Sequence, residues 1–217
     1  MLLELWRAWI AVATKPELAT FEAEKPKATL EKAVVALLIS GVISGILTGL
    51  QVLLGWSVML GALQMTDDPE TARLLDLIPW LENLWPTIAV AAVVLSPVMN
   101  VMFSLFMSAV FLLFARLFGG RSSYTVQTHL MALIYAPYTI ISGLLGLIPC
   151  LGGLGQLAIF IYTFYLLTLA LQAAHDVTAG KAVAIWLGPI AVLVVLFICG
   201  IVALVLTLAS LVGQPSG

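Results

Sequence analysis

The stretch that decides the fold is residues 118–137, FGGRSSYTVQTHLMALIYAP. It joins two long apolar runs through a short loop that carries a glycine pair, an arginine and several hydroxyl side chains. The second apolar run contains Pro137. Because such a polar loop must lie outside the hydrocarbon core of a bilayer, it fixes the side of a membrane on which the neighbouring loops lie.

The composition of the whole chain supports a membrane location. Of the 217 residues, 62% are hydrophobic and 9% are charged, and the mean hydropathy is +1.14. A soluble domain is nearer to about half apolar and about a quarter charged, so the sequence predicts an integral membrane protein. The two cysteines, Cys150 and Cys199, are too few for a disulfide framework and lack metal-site spacing. The N-terminus lacks the pattern of a removable secretory signal.

Five apolar segments are long enough to cross a bilayer, which predicts an all-α bundle of transmembrane helices with interfacial helices beside it. The predicted spans cover about residues 33–53, 88–117, 130–148, 154–171 and 182–212. Residues 1–32 then form an N-terminal interfacial region, 33–212 the transmembrane domain, and 213–217 a tail.

The basic residues predict the orientation of this bundle. The chain has nine, of which only Arg73 lies between the first two spans. The others are Arg7, Lys15, Lys25, Lys27, Lys32, Arg116, Arg121 and Lys181. Since basic loops stay in the cytosol, we expect a cytosolic N-terminus and an outer C-terminus.

Residues 1–13 are too short to span a bilayer but have the pattern of an amphipathic helix. Apolar residues share one side at 100° per residue: Leu2, Leu5, Trp6, Trp9, Ile10 and Val12. Glu4 and Arg7 lie on the other side. This pattern predicts a helix in the membrane interface, and packing on the protein's own spans is an equal alternative. A polar connector with Pro16 and Pro26 follows.

The loop at residues 57–86 is the only sizeable hydrophilic one. Asp67 or Asp68 is suited to cap a short helix there. Trp80 and Trp85 are expected as interfacial anchors. Its carboxylates predict a solvated acidic face rather than a metal site.

Two stripes mark the first two spans. Gly41, Gly45 and Gly49 form a flat strip that predicts close helix packing within the bundle, with a homodimer seam as the alternative. A polar stripe with four-residue spacing consists of Ser96, Asn100, Ser104 and Ser108. Bonding to neighbouring helices is its favoured interpretation, and a substrate path is the alternative.

The order of several motifs resembles the Yip domain family, the Ypt/Rab-interacting membrane proteins, in its short prokaryotic form. The approach segment RAWIAVATKPELATF, residues 7–21, carries a proline and then an aromatic residue. The loop FGGRSSYTVQT and the segment HDVTAGKA at residues 175–182 are similar to two family loops. The family-motif positions are Gly119, Gly120, Tyr135, Pro137 and Pro149.

The resemblance implies a five-span bundle with a cytosolic N-terminus and no known catalytic activity. Eukaryotic relatives lie in Golgi and endoplasmic reticulum membranes and act in vesicle traffic with small GTPases. They carry an acidic, aromatic N-terminal motif that this chain lacks, so a GTPase partner does not carry over. The expected location is the plasma membrane for a prokaryotic protein and the Golgi or endoplasmic reticulum for a eukaryotic one.

The charged side chains lie at the edges of the predicted spans, which argues against a pump or an ion-coupled transporter. The sequence predicts no catalytic residues, no metal or cofactor and no nucleic-acid partner. Membrane lipids are the expected partners, with homo- or hetero-oligomers left open. Predicted lipid-headgroup contacts are Arg121, Ser122, Ser123, His129, His175 and Lys181.

The expected function is therefore non-enzymatic: organising or shaping the membrane, or scaffolding partners in it. The alternative is a carrier of an uncharged solute or lipid along the polar stripe.

Overall fold

The computed structural model describes residues 2–64, 78–148 and 151–212, and their side chains over 2–61, 84–148 and 152–207. Within these ranges the chain is mostly helical and contains no strand, which confirms the all-α prediction. The helices are α1 (Leu2–Thr14), α2 (Leu18–Glu24), α3 (Leu30–Gln64), α4 (Ile78–Leu117), α5 (Tyr124–Leu145), α6 (Leu151–His175) and α7 (Ala179–Val212). A short 3-10 turn, Lys25–Lys27, joins α2 to α3.

Helices α3 to α7 are each long and apolar enough to cross a membrane. The apolar segments are Leu30–Gly61, Leu84–Leu117, Tyr124–Leu145, Gly152–His175 and Ala179–Thr207. The prediction of five spanning helices is confirmed.

The start of α5 differs from the predicted third span. The helix begins at Tyr124 rather than near Leu130, because Ser123 caps it by accepting a hydrogen bond from Val126 N at 3.3 Å. Its first turns carry Gln127, Thr128 and His129, and a hydropathy argument places such residues outside a span. In the structure all three are buried inside the protein. Gln127 and Thr128 bond to groups on other helices, whereas both ring nitrogens of His129 lack a hydrogen-bond partner in the part of the chain that the structure describes.

The first hydrophilic loop is also shorter than predicted, since α3 continues to Gln64 and α4 begins at Ile78. Trp85 Nε1 donates to Val52 O at 2.6 Å, and its ring packs on Trp56 with centroids 4.8 Å apart. Trp85 thus ties α3 to α4. The expected cap at Asp67 or Asp68, the Trp80 side chain, Pro149, Cys150 and residues 213–217 lie outside the described residues.

The connector after α1 contains a helix that the sequence did not predict. Phe21 anchors α2 in the core with no exposed surface. Tyr162 OH donates to Ala13 O at 3.0 Å, and Tyr165 OH donates to Pro16 O at 3.2 Å. At 1.5 Å per residue, Tyr162 lies roughly 20 Å along α6 from its C-terminal end at His175. The turn between α1 and α2 therefore lies against the flank of the bundle.

The glycine strip lies in the contact between α3 and α4. A Cβ on Gly41 would come within 2.6 Å of Pro97 Cα, and one on Gly45 within 2.8 Å of Ser96 Cβ. Gly49 faces the same helix. The absence of side chains lets the two backbones approach closely, and such close packing is one source of helix association in lipid.

Helix α7 leaves the bundle part-way along its length. Ala182 and Ile185 are buried, but the described large apolar side chains from Ile190 onward are all exposed, such as Leu193 and Phe197. Apolar side chains exposed on every side of a helix suit contact with lipid.

We expect Gly41→Ala to destabilise the bundle, because its new methyl group meets the Pro97 backbone, which cannot move aside. The expected loss is about 1–3 kcal/mol, seen as a lower midpoint of thermal unfolding in detergent. Gly55→Ala is the matched control on the same helix, since nothing lies within 4 Å of that Cβ. Equal stability of the two variants would contradict the α3–α4 contact.

Candidate functional site

The loop between α4 and α5 starts with a glycine-dependent helix ending. Gly119 has φ 88°, a backbone conformation that favours glycine. Its N–H donates to Arg116 O at 3.2 Å, while Gly120 N–H donates to Ala115 O at 2.7 Å. This pair of bonds is a Schellman motif, which satisfies carbonyls left free at the end of α4.

The second glycine is needed for a different reason. A Cβ on Gly120 would lie 2.6 Å from His175 Nδ1 and 2.9 Å from Ala115 O. His175 ends α6, so the loop after α4 is packed directly against the loop after α6. The glycine pair thus supplies first a turn and then room for a histidine.

His175 belongs to a directed chain of hydrogen bonds. Ser122 N–H donates to His175 Nδ1 at 3.3 Å, and His175 Nε2 lies 2.7 Å from Gln127 Oε1. Because a backbone N–H can only donate, Nδ1 carries the lone pair and Nε2 carries the proton. The ring is therefore neutral and donates to Gln127, whose Nε2 donates to Ser108 O at 2.6 Å.

Further bonds join the same loops and helices. Ser108 Oγ and Thr128 Oγ1 lie 2.7 Å apart between α4 and α5. Arg116 Nη2 donates to Ser122 O at 2.8 Å, across the loop. At the surface, Lys25 Nζ pairs with Asp176 Oδ1 at 2.8 Å and so connects the N-terminal segment. We call this set of contacts around His175 the loop junction.

On its outer side the loop junction has a recess of about 380 Å³. Its polar lining includes Arg121, Asp176, Thr178 and Lys181. Arg121 and Lys181 are exposed there, and Ser123 is exposed near by. These three predicted headgroup contacts are placed where an anionic group could reach them.

The other three predicted headgroup contacts are buried. His175 is 2% exposed, and both of its ring nitrogens are bonded within the protein, so the prediction that it contacts headgroups does not fit its placement. Ser122 is also buried, with its N–H directed at His175. His129 is 2% exposed and borders a separate cavity beside α1.

The predicted polar stripe divides into a buried pair, Ser104 and Ser108, and a pair that borders a cavity, Ser96 and Asn100. Ser104 and Ser108 are buried between helices. Asn100 Nδ2 donates to Leu37 O at 2.8 Å and to Ser40 Oγ at 3.0 Å, which ties α4 to α3.

Ser96 and Asn100 border a cavity of about 330 Å³ among α3, α4, α5 and α6. The polar groups that line it are uncharged: Ser44, Thr48, Gln51, Ser96, Asn100, Tyr138, Thr139, Ser142 and Gln156. Several already bond across the helices, as Gln51 Nε2 does to Gly143 O at 2.6 Å and Ser142 Oγ to Gln156 Oε1 at 2.7 Å. The cavity could hold a small neutral polar molecule.

Helix α1 has three faces rather than two. One apolar face packs on the bundle through Leu5, Ala8, Trp9 and Val12. A second apolar face, made of Leu2, Leu3, Trp6 and Ile10, is exposed. Glu4 and Arg7 occupy the third. The predicted apolar side is therefore split: one part packs on the protein's own spans, and the other part is exposed.

The polar groups described above hold loops and helices in position through hydrogen bonds and ion pairs. None of these arrangements presents an activated nucleophile. Among the described residues no group of three His, Cys, Asp or Glu side chains could hold a metal ion. The pattern of the Yip1 domain matches residues 10–202. The chain belongs to the Yip1 domain family. No curated protein and no solved structure matches it.

This Yip1 domain begins inside α1 and ends inside α7, so it includes the loop junction and the cavity bordered by Ser96 and Asn100. The protein is thus a multi-pass membrane protein of a family that is not known as enzymatic. Of the family-motif positions, Gly119 and Gly120 shape the loop junction, while Tyr135 and Pro137 lie within α5.

Sequence reasoning missed the glutamines of the Yip1 domain. Gln51, Gln127 and Gln156 all lie in spanning helices and bond to neighbouring helices or loops. An amide side chain inside an apolar helix was the signal for such bonds, because an amide within a membrane needs a hydrogen-bond partner on another part of the protein. Arg116 was counted for orientation only, although its guanidinium also holds the loop.

Gly120→Ala in this Yip1 domain should displace His175 and break its bond from Ser122 N–H. We expect a loss of about 1–3 kcal/mol in the free energy of unfolding. Gly180→Ala is the matched control, since its Cβ meets nothing within 4 Å. Thermal unfolding of both purified variants in detergent checks this, and a Gly120→Ala protein as stable as the control would contradict the packing of His175 on the loop.

Proposed function

We propose that this protein is a non-enzymatic membrane protein that organises or shapes the bilayer, with α1 acting as a wedge at its surface. The observation that carries the proposal is the second apolar face of α1. Leu3 is 73% and Trp6 is 58% exposed, on the side turned away from the bundle. Such a face inserts among lipid headgroups and spreads one leaflet.

A wedge needs a rigid mount, because a helix that swings freely loses entropy when it inserts. Three contacts support a rigid mount for α1. Trp9 and Val12 pack into the core, Tyr162 holds the carbonyl of Ala13, and Lys32 Nζ lies 3.5 Å from Glu4 Oε2.

The basic side chains support a cytosolic placement of α1. Lys25 meets Asp176 in the loop after α6, so the N-terminal segment and that loop lie at one end of the bundle. Arg121 and Lys181 are exposed at the same end. A basic end suits the cytosolic leaflet, whose anionic lipids attract each Lys or Arg by about 1 kcal/mol. Membrane lipids are then the main partners.

Replacing Leu3 and Trp6 together by serine should abolish most of the shaping effect without unfolding the bundle. The change removes about 1.5–3 kcal/mol of apolar burial for each side chain. The measurement is the diameter of proteoliposomes by electron cryomicroscopy at a fixed protein-to-lipid ratio. Leu3→Met with Trp6→Phe is the control and should act like the native chain, and vesicles of the same size for all three proteins would contradict the wedge.

A second candidate function is a carrier of an uncharged solute or lipid. The observation that favours it is the 330 Å³ cavity with its uncharged polar lining, which includes Ser96 and Asn100 of the predicted stripe. A neutral polar molecule could exchange hydrogen bonds with these hydroxyl and amide groups.

A hydrated cavity should admit a water-soluble thiol reagent. With Cys150 and Cys199 replaced by serine, we expect Ser142→Cys in the cavity to react with a methanethiosulfonate, whereas the fully buried Ser40→Cys should not. Mass spectrometry of the labelled protein in detergent reads the result. If Ser142→Cys resists labelling as well as Ser40→Cys, the cavity is dry and the carrier is excluded.

A further inference from the structure

A separate cavity of about 450 Å³ lies between α1 and the bundle. Its polar lining consists of Glu4 and Arg7 from α1, Glu24, Lys27 and Lys32 from the following segment, and His129 from α5. Leu133 contributes part of the apolar wall. Residues from α1, α2, the 3-10 turn, α3 and α5 therefore converge on it.

His129 points to an occupant. Its ring is 2% exposed, and neither Nδ1 nor Nε2 has a hydrogen-bond partner in the described protein. The backbone of Thr29 is near the ring, but not in hydrogen-bonding geometry. Buried polar atoms almost always have partners. Because the ring lines the cavity, a group bound there would supply what the protein does not.

The charges in the cavity decide which chemistry fits. Lys27 Nζ pairs with Glu24 Oε1 at 2.8 Å, and Lys32 Nζ lies 3.5 Å from Glu4 Oε2. Both carboxylates are thus offset by lysines. Arg7 has no ion pair or side-chain hydrogen bond among the described residues, so the lining keeps an excess positive charge.

This balance favours an anion over a metal ion. A divalent cation would be repelled by three basic side chains, and the carboxylates that it needs are already paired. An arginine fork and an imidazole N–H are both donors suited to phosphate oxygens.

We propose that the cavity binds a phosphate group, with Arg7 and His129 as its donors. A phospholipid headgroup and free inorganic phosphate share this chemistry. The bound group would bridge α1 to α5. The proposal does not depend on the wedge function, because binding needs only the cavity and its lining.

The ligand test uses the full chain in a neutral detergent, with thermal shift and native mass spectrometry as readouts. The probes are phosphatidylglycerol, diacylglycerol, which lacks the phosphate, and inorganic phosphate. Stabilisation by phosphatidylglycerol alone identifies a lipid headgroup, and stabilisation by inorganic phosphate as well identifies a site for the phosphate group itself. Stabilisation by inorganic phosphate without phosphatidylglycerol identifies a soluble ligand. Equal effects of phosphatidylglycerol and diacylglycerol without any effect of phosphate, or no effect of any probe, would overturn the proposal.

Two pairs of variants locate the site. Arg7→Gln should weaken binding about tenfold, the loss of a charge-assisted hydrogen bond. Arg121→Gln makes the same change at the loop junction and should leave binding nearly unaltered. Equal weakening by both would show general attraction to the basic end and would overturn the site.

His129→Leu should separate binding from folding. It removes the unpartnered nitrogens, so we expect the ligand-free protein to unfold at a higher temperature while binding weakens about tenfold. His129→Gln keeps a donor and should retain part of the affinity. Unchanged binding by a folded His129→Leu protein would show that the ring has no contact with the ligand.

Discussion

The hydrogen bonds that run from Ser122 through His175 and Gln127 to Ser108 fix one end of the bundle. An unpartnered buried polar group costs about 1–3 kcal/mol, and the surroundings of a spanning helix offer little water to satisfy it. Each group in this chain therefore holds the next in place. This series of hydrogen bonds crosses from α6 to α5 and then to α4. It therefore fixes the relative positions of three helices, which apolar side chains alone would hold less specifically.

Glycines make the close approaches on which this arrangement depends. Gly120 leaves room for His175 at the loop junction. Gly41 of α3 leaves room for the backbone of α4 at Pro97. In the first case the benefit is a polar contact, and in the second it is dispersion between two backbones. Gly55 lies on the same helix as Gly41 with open space around it, so its position on the helix, and not the residue type, decides whether a glycine is needed.

The sequence predicted the number and kind of spanning helices because hydropathy depends on residue type alone. It failed at the start of α5, where Gln127, Thr128 and His129 are polar and yet buried. The partners of Gln127 and Thr128 come from distant parts of the chain, and His129 has no hydrogen-bond partner among the described residues. It also missed α2, whose only strong apolar anchor is Phe21. For α1 the helical periodicity was right, but periodicity does not show whether an apolar residue meets protein or lipid. Trp9 and Trp6 are close on the helix, yet Trp9 is buried against the bundle and Trp6 is exposed.

The two histidines differ in whether their ring nitrogens have hydrogen-bond partners. His175 has both nitrogens bonded inside the protein, so its surroundings need nothing further and its role is to hold the loops. His129 is equally buried but has neither nitrogen bonded, and it faces a charged cavity whose far wall is α1. Since the hydrogen bonds of the loop junction are satisfied while those of His129 are not, the N-terminal helix is the element whose position the proposed phosphate group would influence. The same helix carries the exposed apolar face, so the proposed phosphate site and the proposed membrane wedge share one short segment.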